Sequence, residues 1–131
     1  MSDGSWQLQQ TVVGLLDGAL NVPVLANAPQ DTHVPYVDIG ESDALADDAQ
    51  CVAGLIETLT LHVWTAFGSQ KQAKLEISLI RQTLHGRKLN VSGRSFALAV
   101  VTGSRLFPDG ENEFLHGVVT LRVNHYGPEE G

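Results

Sequence analysis

Between residues 55 and 65 the chain reads LIETLTLHVWT, and its side chains sort cleanly onto two faces. Leu55, Leu59, Leu61 and Val63 fall on one side together with Glu57, while Ile56, Thr58, Thr60, His62 and Trp64 fall on the other. A helix would scatter these residues around its circumference. Only an extended chain, whose side chains alternate with period two, gathers the leucines onto one surface. The run is rich in β-branched and aromatic residues and has no proline, so it reads as a strand with one face buried, ended by Gly68. The chain therefore needs a sheet, and something apolar to cover it.

Two helical patterns supply the cover. Leu8, Val12, Leu15, Leu16 and Ala19 recur at close to helical spacing after Ser5, a capping residue, which predicts a helix over 6–20 stopping near Asn21. Ser69 followed by Gln72 has the capping-box spacing and opens a second helix that runs to His85 and closes at Gly86. On that helix Ala73, Ile77, Ile80 and Leu84 form one apolar stripe, and Leu75 and Leu79 form another well round the cylinder. Lys71, Lys74, Arg81 and His85 share its polar face. Either both stripes serve one broad core contact, or the first packs on the chain's own sheet and Leu75 and Leu79 meet a neighbouring subunit.

The remaining text reads as strands and turns. A short strand and turn lie between Pro23 and Pro35, and strands are expected at 36–40, 88–91, 96–101 and 117–125, with FPDGENE as the turn between the last two. Residues 41–54 carry four acids and no clear period, and are expected to form a long acidic loop. The end of the chain, 126–131, is expected to fray. The predicted architecture is one α+β domain over 1–131, a mostly antiparallel sheet with two main helices packed on one face and a long loop.

Charge is distributed unevenly along the chain. The net charge is −7, but residues 1–70 hold nine acids with no lysine or arginine, whereas residues 71–107 hold seven basic residues against Glu76 alone. Such a split either blends into one mixed surface or folds into two faces of opposite sign, suited to head-to-tail assembly. The acidic total argues against a general phosphate-binding surface. No apolar run is long enough to span a membrane, and the N-terminus lacks the pattern of a signal peptide, so a cytoplasmically made protein without membrane association is expected. Cys51 is the only cysteine and reads as an incidental thiol.

Motifs for chemistry are missing. The five histidines, His33, His62, His85, His116 and His125, show no metal-ligand spacing, and there is no Walker loop, Rossmann glycine fingerprint or nucleophile elbow. No cofactor is implied, and an enzyme is not expected. Trp64 reads as a core or interface anchor and His62 as a packed, hydrogen-bonded side chain.

The segments PYVDIGE (35–41), TLTLHVWTAFG (58–68), LHGRKL (84–89) and DGENEFLHGVVTLRV (109–123), taken in order, resemble the small phage tail-completion, or tail-terminator, proteins of siphophage-like prophages and gene transfer agents. The resemblance implies a structural virion protein that forms a ring, typically a hexamer, which caps the tail tube and joins it to the head-side connector or stopper. DNA would pass through without specific binding. The framework motif comprises His62, Trp64, His116 and Gly117. Interface candidates are Leu75, Leu79, Lys71, Lys74 and Arg81; Glu41, Asp43, Asp47 and Asp48 are candidates for lining the channel or touching the tube. Another neck component, such as a stopper or adaptor, and a cytoplasmic binding module or assembly chaperone outside the virion are the competing expectations.

Overall fold

The computed structural model describes residues 4–47 and 53–127. In chain order the elements are α1 (Ser5–Asp17), β1 (Val24–Ala26), β2 (Tyr36–Ala46), β3 (Gly54–Ala66), α2 (Gln70–Leu84), β4 (Arg87–Lys88), β5 (Phe96–Asp109) and β6 (Phe114–Tyr126). The strands form one six-stranded sheet in the order β1-β2-β3-β6-β5-β4. Among the described residues, the β1·β2 pair is parallel and the other pairs are antiparallel. The α+β architecture expected from the alternating strand and the two amphipathic helices is the one observed.

The alternation of β3 sets the layers. Leu59, Leu61 and Val63 are fully buried, and they lie in register with Leu121, Val119 and Gly117 of β6. Leu8, Val12 and Leu16 of α1 and Ala73, Ile80 and Leu84 of α2 are also fully buried against this face. Each fully buried leucine or isoleucine contributes about 2 kcal/mol, so this one interface supplies most of the driving force for collapse. Gly117 sits beneath α2, where an added Cβ would lie 2.9 Å from Ile77 Cδ1 and 3.2 Å from Val63 Cβ. Its missing side chain is what lets the helix approach β6.

Several boundaries differ from those the sequence suggests. Ser5 does not cap α1: Gly4 occupies that position in a left-handed conformation, and the Ser5 hydroxyl turns inward to Glu57. The helix ends at Asp17, where Leu16 O accepts the amides of Ala19 and Leu20. At α2 the Ser69 side chain makes no capping bond; its carbonyl accepts the Ala73 amide instead.

The largest correction concerns the expected acidic loop. Residues 41–46 are strand, the second half of β2, with 42–46 paired to 55–59 of β3 past a bulge between Ile39 and Ser42. The ladder with β3 outweighs the poor strand propensity of Glu, Ser, Asp and Ala. Asp47 continues the pairing through its amide to Gly54 O, and Asp48 lies outside the described residues. Likewise β5 runs beyond 101 to Asp109, absorbing an irregularity between Val101 and Gly103, so the turn narrows to 110–113. Gly110, Glu111 and Asn112 all have positive φ there. At the C-terminal end Tyr126 is still strand and the Gly127 amide donates to Ala53 O, so fraying does not begin at 126; residues 128–131 lie outside the described residues.

Candidate functional site

The helices cover one face of the sheet and leave the other open. In-register pairing lays Tyr36, Trp64, His116 and Phe107 side by side across β2, β3, β6 and β5 on that open face. Trp64 stacks on His116 with ring centroids 3.8 Å apart and planes 15° apart, and Phe114 meets Trp64 edge-on. Phe107 flanks His116 on the far side, with the Arg105 guanidinium over its ring. Three of the four framework residues, His62, Trp64 and His116, thus come together. The fourth, Gly117, serves the opposite face.

Within this platform four polar side chains form a line. Glu41 meets His62 Nε2 at 2.7 Å, His62 Nδ1 meets His116 Nε2 at 2.7 Å, and His116 Nδ1 meets Asp109 at 3.0 Å. Gly40 makes room for it, since a Cβ there would lie 3.0 Å from the His62 ring. The His62–His116 contact is diagonal across the β3·β6 ladder, which is why the two rings touch although Trp64 is the register partner of His116. Three contacts need three ring protons, and two neutral imidazoles carry only two. With both rings neutral and both carboxylates ionised, one of the three contacts is left without a proton. Burial pushes His116 below its ordinary value, while the hydrogen bond to Asp109 pulls it up. The bond to His62 holds Glu41 below the usual carboxylate range.

A second polar line is buried at the opposite end of the sheet. The Ser5 hydroxyl donates to Glu57 Oε2 at 2.6 Å, His125 Nε2 meets Glu57 Oε1 at 2.9 Å, and Arg94 Nε donates to His125 Nδ1 at 3.0 Å. Glu57 and His125 are almost wholly buried. Glu76, also fully buried, accepts the Asn21 amide and its side-chain NH2. In both lines the histidine nitrogens are bonded to neighbouring side chains, and among the described residues no group of histidine, cysteine and carboxylates converges as a metal site would. These are bracing networks.

The interface candidates of α2 divide between two grooves. Lys74 and Arg81 line one with Ser104, Arg105 and Leu106, and Arg81 donates to the Ser104 hydroxyl. Lys71 and Leu75 line the other with Asn21, Ser69 and Glu76. Leu75 is 48% exposed, while Leu79 is half-buried. Glu41 and Asp43 sit on the exposed second half of β2, and Asp47 accepts the Tyr126 hydroxyl. Sequence reasoning did not nominate Asp109, Phe107, Arg94, His125 or Glu76. The signal for the buried line was present in Glu57, a carboxylate inside an apolar stripe, which calls for a partner.

An open-faced, mostly antiparallel sheet with two helices on one side defines an α+β module. The family model of tail completion protein gp17 matches residues 10–126, and the chain belongs to that family. It is a structural protein of the virion tail. None of the curated proteins matches the chain. Among solved structures, a chain from the virion of a native gene transfer agent particle superposes with a TM-score of 0.79 at 16% identity, covering 97% of this chain and all of that one. That likeness shows a shared fold.

Proposed function

We propose that the protein is a non-enzymatic ring subunit that terminates the tail tube and joins it to the head-side connector. The family match over nearly the whole described chain carries this reading. The match in fold to a chain of a gene transfer agent virion supports it. The distribution of charge supports it too, because acidic residues line β2 while Lys74, Arg81 and Arg105 cluster around α2 and β5. Opposite signs on opposite flanks suit copies that repeat head to tail. Both polar lines brace the fold and leave no nucleophile–base pair facing a cavity, which favours structure over catalysis.

Cryo-electron microscopy of the purified particle's neck tests the assignment. A closed ring of this chain on the last layer of the tail tube is the expected result. Density for it on the portal side would make it a stopper or adaptor, and its absence from the particle would make it a cytoplasmic module or chaperone.

A further inference from the structure

Among the described residues, both flanks of the sheet end in stretches of strand edge that no other strand pairs. β1 covers β2 only at 37–39, and β4 covers β5 only at 98–99. Among the described residues, 42–46 of β2 and 103–109 of β5 have a strand on one side alone. Such edges template pairing with another chain unless charge prevents it. Glu41 and Asp43 are exposed on the first edge; Arg105 is exposed on the second, with Arg81 and Lys74 in the adjoining groove. The opposite charges of Asp43 and Arg105 favour pairing of one edge with the other.

We propose that the β2 edge at 42–46 of one copy adds as an antiparallel strand to the β5 edge at 103–107 of the next, short of Pro108, which has no amide to donate, joining the sheets of successive subunits. This deepens the ring reading above and rests on it. The strand directions permit it. Every step from β2 through β3 and β6 to β5 is antiparallel, so β2 and β5 run in opposite senses. A copy rotated about an axis along the strands therefore presents its β2 antiparallel to β5.

The free stretches are offset along the strands. Asp43 lies opposite Thr58, whereas Arg105 lies across Val118 opposite His62, four positions further along β3. At about 3.4 Å per residue this is a stagger of about 14 Å, against a width of about 19 Å for four strands. A ring built on that step inclines its strands by about 35° to the axis, at the lower end of the roughly 35–45° tilt of closed sheets. Asp43 and Arg105 fall on the same open face, since their partners Thr58 and Val118 both do.

Disulfide trapping in assembled particles tests the pairing. On a Cys51→Ser background, Asp43→Cys is combined with Arg105→Cys, and separately with Gly103→Cys to cover a two-residue shift of register. Thiols bridge only when their Cα atoms come within about 7 Å. Oxidised particles of one double variant should give a ladder of cross-linked chains beyond the dimer, and the single variants none. Dimers from a single variant would mean a symmetric contact and overturn the proposal. A ring visible in the neck without a ladder from either double variant would overturn the pairing while leaving the ring reading intact. A neck in which this chain forms no ring would remove both.

Discussion

Arg94 Nε donates to Nδ1 of His125 at 3.0 Å, and this contact decides which nitrogen of a fully buried histidine bears the proton. With Nδ1 accepting, Nε2 donates to Glu57, and the ring is a neutral bridge between a guanidinium and a carboxylate. The charges of Arg94 and Glu57 balance without touching.

Truncating this bridge should be costly. Glu57→Ala removes an acceptor from the Ser5 hydroxyl and from His125 Nε2–H, and should lower stability by roughly 3 kcal/mol. Glu57→Gln keeps an acceptor and should lose less. Urea unfolding followed by tryptophan fluorescence reads both values, and a Glu57→Ala loss below about 1 kcal/mol would contradict the account.

Acidification should weaken the fold in two windows. The folded value of His116 lies below its ordinary 6.5, so the unfolded chain takes up the proton first. Its contribution is complete above about pH 6.5 and is lost as pH falls through that value towards the folded one. Glu41 is held below 4.5, so its contribution persists above that value and is lost as pH falls through its folded one. Both slopes have the same sign. The melting temperature should drop from about pH 7 to about pH 5, and His116→Asn should flatten that drop. An unchanged slope in the variant would dissociate His116 from it.

Gly117→Ala should destabilise by about 1–3 kcal/mol, because the new methyl meets Ile77 Cδ1 and Val63 Cβ. Ile77→Val removes the nearer of those atoms. The double variant should therefore be more stable than the sum of the two singles predicts, which a double-mutant cycle measures.

Leu75→Gln replaces a half-exposed leucine by another good helix former, so thermal stability should stay within about 0.5 kcal/mol of the parent. Incorporation into particles, measured by quantitative immunoblot, should fall if Leu75 meets a neighbour. Full incorporation would assign Leu75 to the chain's own surface.

The strands and helices with a strong periodic signal were legible, and their faces with them: Leu59, Leu61 and Val63 of β3, and Ala73, Ile77, Ile80 and Leu84 of α2, are buried where the pattern puts them. The second half of β2 was not legible, because an exposed edge strand has no buried face to impose alternation. Nor was the far half of β5, where Gly103 and Pro108 look like turn residues but lie beside a bulge and on an edge that tolerates them. The capping serines misled for a related reason. Ser5 has a stronger acceptor in Glu57, supplied by a strand 52 residues away. The His62–His116 line depends on the β3·β6 register, which no local pattern encodes.

The first helix is fastened at both ends to carboxylates that water cannot reach. Ser5 at its start holds Glu57, and Asn21, just past its end, holds Glu76. Peeling back either end takes a hydrogen bond from a buried carboxylate, so gradual fraying is disfavoured. The segment should open in one concerted event, and its amide protons should exchange with solvent at one shared free energy instead of a gradient rising from the ends.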